Sequence, residues 1–234
     1  MPEIRNLSFS YDGTPVFSGL CLSLPDGSRT ALLAPSGFGK TTCSGCSAAV
    51  LPPRRGSITG LPAEGIAMVF QEDRLLPGCT VLENLRLVAP EQSDTELIAL
   101  LGELGLSGWE NARPGKLSGG MRRRAAIARA LVFHSPLVVM DEPFKGLDEA
   151  TLAATLTCVD RWLGDRTFLL VTHSPQEAER LGCRITRLDE LTQTGSESRI
   201  KNLYPAPQLG PGEVFTYRRG IHCSRPASSR NSAP

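Results

Sequence analysis

The chain has 234 residues, 41% of them hydrophobic, with 23 glycines, 18 prolines and a formal net charge of +1, enough for one sizeable core or a core with a sub-domain. Six of its 25 Lys/Arg and two of its 24 Asp/Glu lie from Leu191 onward, leaving residues 1–190 with 19 basic against 22 acidic side chains, a balance that argues against a nucleic-acid surface. No apolar run approaches the ~18 residues of a membrane span, and MPEIRNLSFS lacks the basic and apolar regions of a signal peptide, so a cytosolic chain is expected.

In chain order, LSFSYDGTPVF reads as a hairpin and RTALLA (29–34) as the first strand of a core. That strand runs into Ala34-Pro35-Ser36-Gly37-Phe38-Gly39-Lys40-Thr41-Thr42. In the P-loop pattern G-x-x-x-x-G-K-[ST], Gly37 and Gly39 let backbone N–H groups close around phosphates. Lys40 then reaches the β- and γ-phosphates and Thr41 ligates Mg²⁺. Ala34 stands where the pattern has its first glycine; it adds one methyl, and any cost is expected in nucleotide affinity. The helix that follows carries Cys43 and Cys46, a C-x-x-C with no second pair to complete a zinc site, and all seven cysteines read as free thiols.

GIAMVF (65–70) is the next strand, leading to VFQEDRLLP with Gln71 and an apolar trio at Leu75, Leu76 and Pro77 that is expected to be covered by a partner. Between Gly78 and Gly115 the pattern is almost wholly helical. Thr80 with Glu83 and Ser93 with Glu96 mark helix starts, and apolar residues at 97, 98, 100, 101 and 104 form one stripe. KLSGGMRRR (116–124) then places Ser118, Gly119 and Gly120 at a helix entrance, where N–H groups and the helix dipole favour an anion. It is a second phosphate cradle in a chain that already has one. Arg122, Arg123 and Arg124 splay round the helix, giving a solvated face or one that supports the entrance.

In PLVVMDEPF, LVVM (137–140) reads as a buried strand delivering Asp141 and Glu142 at its C-terminal end, the edge where α/β sheets keep their ligands. Asp141 suits Mg²⁺ held through water, and Glu142 suits the water that attacks a γ-phosphate. TFLLV (167–171) precedes His173 and a helix start at Ser174, Pro175 and Glu177, and RITRL (184–188) is the last strand. Beyond Thr192 the periodicity stops in a Pro-, Gly-, Ser- and Arg-rich extension expected to be loose.

The P-loop, KLSGGM, VVMDEPFKGLD and LLVTHS, in that order, resemble the nucleotide-binding subunit of an ABC (ATP-binding cassette) transporter over roughly residues 4–189. The resemblance implies an α/β fold: a P-loop NTPase core with a mostly parallel sheet, an N-terminal antiparallel β region and an inserted helical sub-domain. The ATPase domain would span 1–190, the helical insertion about 78–115, and a C-terminal extension 191–234. By the same resemblance, residues 35–42 bind ATP, Tyr11 matches the aromatic that stacks on adenine, with Phe9 and Phe17 as rivals, and Gln71 matches the Q-loop glutamine at Mg²⁺. Asp148 matches the D-loop aspartate and His173 the switch histidine, giving Glu142, His173, Gln71 and Lys40 as the catalytic set. Ser118, Gly119 and Gly120 match the signature motif, which in this family caps ATP held on the P-loop of a second copy. That would assign the second cradle to the partner's nucleotide.

Met121 replaces the more frequent glutamine that ends the signature. Together with QEDRLLP and DEPFKGLD, LSGGM is most similar to import ATPases of the nitrate, sulfonate and taurine group. The implied assembly is a homodimer on the inner face of the cell membrane, seated on a separate permease, with a solute-binding protein and no nucleic acid. An ABC ATPase that remodels protein assemblies is the rival reading. A turnover-deficient regulator is disfavoured by retention of Lys40, Asp141, Glu142 and His173.

Overall fold

The computed structural model of the chain describes residues 1–11, 14–33 and 55–191. The glycine-rich stretch with Pro35, Ser36, Gly37, Phe38, Gly39, Lys40, Thr41 and Thr42, the C-x-x-C, the side chains of Tyr11 and Phe17, and the extension from Thr192 lie outside what is described. Two sheets are built from the described residues. The larger is parallel, in the order β5-β6-β7-β3-β8, from β3 (Arg29–Leu33), β5 (Ala67–Val69), β6 (Leu137–Asp141), β7 (Thr167–Thr172) and β8 (Arg184–Arg187). The smaller is antiparallel: β1 (Glu3–Tyr11) lies between β2 (Thr14–Ser23) and β4 (Arg55–Thr59).

β6 and β7 are buried along their whole length, as strands covered on both faces must be, and so they read as unbroken apolar runs. Their side chains still alternate between two cores. Leu137, Val139, Leu169 and Val171 pack with Leu7, Leu20 and Leu22 of the antiparallel hairpin. Val138, Met140, Phe168 and Leu170 face the helices on the other side.

Those helices are α1 (Val81–Arg86), α2 (Asp94–Glu103), α3 (Gly119–Val132), α4 (Glu149–Leu163) and α5 (Pro175–Arg180), with a short α6 (Leu188–Leu191) after β8. Each cap expected from the sequence forms. Thr80 and Ser93 make reciprocal capping boxes with Glu83 and Glu96, and the Ser174 hydroxyl accepts from the Glu177 N–H; such caps contribute about 1 kcal/mol each. Leu97, Leu100, Leu101 and Leu104 are buried as the stripe requires, whereas Ile98 is exposed.

β6 and β7 each run one residue past their apolar runs, to Asp141 and Thr172, and three other boundaries differ more from expectation. GIAMVF forms a strand over only Ala67–Val69, because Gly65 leaves extended geometry at φ +103° and the Phe70 and Gln71 carbonyls are taken by an arginine. RITRL loses Leu188, which starts α6. The segment 78–115 is less helical than its pattern: Gly105 (φ +65°) and Gly108 (φ +83°) carry the chain through turns after α2, leaving only a 3₁₀ turn at Pro114–Lys116.

Candidate functional site

The parallel sheet gathers the candidate residues at one edge. Asp141 is paired in register with Val171, and Leu33 with Thr172, so β3 ends beside the point where β6 and β7 deliver Glu142 and His173. Asp141 and Thr172 are buried at 1% and 0% exposure. Glu142 has a left-handed backbone at φ +47°, an uncommon conformation for a side-chain-bearing residue and one often concentrated at functional sites. Its N–H donates to the Val171 carbonyl at 2.8 Å, which fixes the turn on β7.

The Glu142 carboxylate meets the His173 ring at 2.7 Å, Oε2 to Nδ1. The histidine is more than half exposed, while the carboxylate is 9% exposed, so one member of the pair is anchored and the other faces solvent. Behind them Thr172 Oγ1 donates to Glu177 Oε2 at 2.6 Å and accepts from the Ser174 N–H at 3.1 Å. Burial pushes the Glu177 carboxyl above the ordinary range; the Thr172 hydrogen bond opposes this and the charge of Glu142 adds to it. Glu177, foreseen only as a cap, is thus also the brace of the turn that carries His173.

Ser118 is the N-cap of α3, its hydroxyl accepting from the Met121 N–H, and Ser118 and Gly119 are exposed. Neither glycine is required by its own chain. A Cβ at Gly119 would come no closer than 3.9 Å, to Arg122 Nη2, and one at Gly120 would touch Leu147 Cδ2 at 3.5 Å, an ordinary contact. Met121 packs against the core. Asp148 is the N-cap of α4: its two oxygens accept from the Thr151 N–H at 3.0 Å and the Thr151 hydroxyl at 2.7 Å, and the first of these bonds leads in holding the carboxyl below its ordinary range.

The arginine run is not a solvated face. Arg123 is 8% exposed and donates to the carbonyls of Phe70, at 2.7 Å, and Gln71. Arg122 donates to the Leu117 carbonyl and Arg124 to that of Leu104. The start of α3 therefore sits by the C-terminal end of β5, on the same edge as Glu142 and His173, against the Gln71 backbone. Read from sequence, the run is a solvated face or one that supports the entrance, with nothing to single out Arg123 as the member that turns inward.

The apolar trio is also more tied down than expected. Leu75 packs partly on the core, and the Leu76 backbone is held at both ends by the Asn84 amide, at 2.8 and 3.2 Å. The described cysteines, Cys21, Cys79, Cys158 and Cys183, are free thiols. Burial pushes Cys158 up to about 12 and Cys183 to about 11, which suppresses thiolate chemistry at both. No helix among the described residues is long and apolar enough to cross a membrane.

Comparison with known proteins gives the family and the fold. The ABC transporter family matches residues 17–145. The aliphatic sulfonates import ATP-binding protein SsuB 2 of Streptomyces avermitilis is 40% identical over 212 residues, covering 89% of this chain and 84% of that protein. SsuB 1 of Rhodococcus jostii is 38% identical over 80% of this chain and 79% of its own. The spermidine/putrescine import ATP-binding protein PotA of Spiroplasma citri is 33% identical, covering 92% of this chain and 68% of its own. Among solved structures, the dimeric post-hydrolysis state of the ATP-binding cassette MJ0796 bound to ADP and Pi superimposes with a TM-score of 0.72 at 26% identity, over 80% of this chain and 94% of that one.

Proposed function

The chain belongs to the ABC transporter ATP-binding family, and from that premise we propose that it powers solute uptake as a head-to-tail dimer seated on a separate membrane permease. It is an ATPase of cassette fold. Relatives named for import of aliphatic sulfonates and of spermidine and putrescine support the import direction, and a solute-binding protein is the expected further component. The chain would then work on the cytoplasmic face of the membrane.

The observation that carries the catalytic reading is the Glu142–His173 pair at the sheet edge, beside the exit of β3. Glu142 orients the attacking water and takes its proton as the oxygen bonds to the γ-phosphorus and the bond to the leaving ADP oxygen breaks. His173 holds one carboxylate oxygen and so fixes the orientation of the Glu142 side chain. Lys40 binds the β- and γ-phosphates, residues 35–42 wrap them, and Tyr11 stacks on the base. A buried carboxylate at Asp141 and oxygen donors at Thr41 and Gln71 suit a hard cation; these residues would hold Mg²⁺, which would neutralise phosphate charge there. Ser118, Gly119 and Gly120 donate to the γ-phosphate bound by the partner copy, and Asp148 shapes the loop between the two sites.

Uptake measurements test the assignment. Cells lacking the chain should lose import of either an alkanesulfonate or a polyamine, regained with the wild-type chain and not with Glu142→Gln. Undiminished uptake of both would overturn the importer reading for these cargo classes.

A further inference from the structure

β5 ends at Val69, and the two carbonyls that follow, those of Phe70 and Gln71, have passed beyond its ladder with β6. Carbonyls at such a place need donors. Here both are supplied by one side chain, the Arg123 guanidinium, whose Nε also lies 3.3 Å from Asp73 Oδ1. A group so buried is costly to desolvate unless its donors are all used; a planar guanidinium can serve three acceptors at once and an ammonium on a flexible stem cannot do so in this geometry.

The neighbouring contacts have the same direction. Arg122 approaches Asp73 Oδ2 at 3.6 Å, and Arg129, about two turns further along α3, donates to the Arg74 carbonyl at 2.8 Å. Arg74 in turn lies 4.0 Å over the Phe70 ring. Residues 70–74 are thus laid along α3, with Arg123 gripping the peptide that carries Gln71. Five residues before Arg123 on the chain stands Ser118, the N-cap of α3.

We propose that Arg123 is a positioning residue for ATP hydrolysis, locking the Gln71 backbone to the start of α3 so that Gln71 in the chain's own site and Ser118–Gly120 in the partner's move as one unit. The proposal rests on the catalytic role of Gln71 given above. Arg123 does not touch the reacting atoms; it acts through Gln71.

A double-mutant cycle in the full-length chain decides the matter, with kcat and monomer affinity for a fluorescent ATP analogue as readouts. Arg123→Met keeps the stem and removes every donor. It should lower kcat about tenfold with nucleotide affinity changed by less than about twofold, and cost under about twofold more in a Gln71→Ala background. Arg123→Lys should regain part of the loss, and it carries the same cycle if the methionine variant does not fold. Asp73→Asn, which leaves both carbonyl bonds in place, should stay within about twofold of wild type. An equal loss from Arg123→Met in both backgrounds, or an unchanged kcat, would overturn the proposal while leaving Gln71 in its role. Wild-type turnover by Gln71→Ala alone would remove the role of Gln71, and the proposal with it.

Discussion

The sheet edge at Asp141–Glu142 and the entrance of α3 at Ser118–Gly120 both present groups suited to phosphate chemistry, yet they are built in opposite ways. At the sheet edge every described choice has a reason within the chain. Glu142 is pinned through its N–H to Val171 and through its carboxylate to His173, and Thr172 and Glu177 brace the turn behind them. At the entrance the two glycines are exposed or half-buried and their own chain leaves room for a side chain. Where a chain does not explain its own small residues, something arriving from outside is the natural reason for them. Under the proposed function, the first region is the catalytic edge that one chain assembles, and the second is the surface that would take an anion from the partner copy.

The largest expected effect breaks the first region alone. Glu142→Gln keeps the size and a hydrogen bond to His173 but cannot accept the water's proton, so turnover should fall about 10³-fold while ATP binding persists. Lys40→Ala should instead weaken ATP binding and turnover together. Steady-state hydrolysis by Glu142→Gln at the wild-type rate would take the proton-accepting role away from Glu142.

Next in size is the entrance. Ser118→Arg should leave ATP binding by each monomer nearly normal and cut hydrolysis on the order of 100-fold, since a bulky cation would occupy the closing interface. Mixing it with Lys40→Ala sharpens the comparison: the mixed pair contains one site with an intact Lys40 from the first protein and an intact entrance from the second. ATP should therefore drive mixed dimers where neither variant pairs well alone, and sizing chromatography with light scattering would show it. Wild-type specific activity should also rise with protein concentration. A Ser118→Arg protein that hydrolyses ATP at full rate as a monomer would mean that the entrance serves its own chain or nothing.

A smaller effect on the ATPase, though not on transport, is expected outside both regions. Leu76 is half-buried and held through its backbone by Asn84, so Leu76→Glu changes what the surface offers without removing those bonds. Isolated ATPase activity should stay within about twofold, as for surface changes generally, while uptake falls. Equal loss of both would mean the leucine supports the fold and not the permease contact. Leu75, packed partly on the core, is the wrong position for this test.

How much of this could be read in the sequence depended on how local its cause was. Caps at Thr80, Ser93 and Ser174 follow from residues three apart, and all three formed as expected. The apolar runs of β6 and β7 announce burial on two faces. The Glu142–His173 pair was legible as two residues after two strands, because parallel strands in register must end at the same edge. Arg123 was not, since its acceptors lie more than fifty residues away at Phe70 and Gln71, and nothing in a run of basic residues says which one turns inward. Strand ends failed for a related reason: the length of β5 is set partly by that same arginine.

Glu177 gives the smallest and most discriminating test of the catalytic edge. Burial, with the Glu142 charge adding to it, holds its folded carboxyl above the ordinary value. A raised carboxyl favours the protonated form, so its stabilising contribution is complete below the unfolded value and is lost as pH rises through the folded one. Glu177→Gln keeps an acceptor for Thr172 and cannot ionise. Its melting temperature should therefore match or fall slightly below that of the wild type near pH 4 and gain on it steadily toward pH 8. The gain should be small, because the side chain is partly solvated and its charge is screened. In a Glu142→Gln background the gain should shrink further, since one of the two causes that raise the Glu177 carboxyl has been removed. A melting difference that stays flat across this range in both backgrounds would show that the two carboxylates do not sense each other, and that the turn bearing His173 is braced by the Thr172 hydroxyl alone.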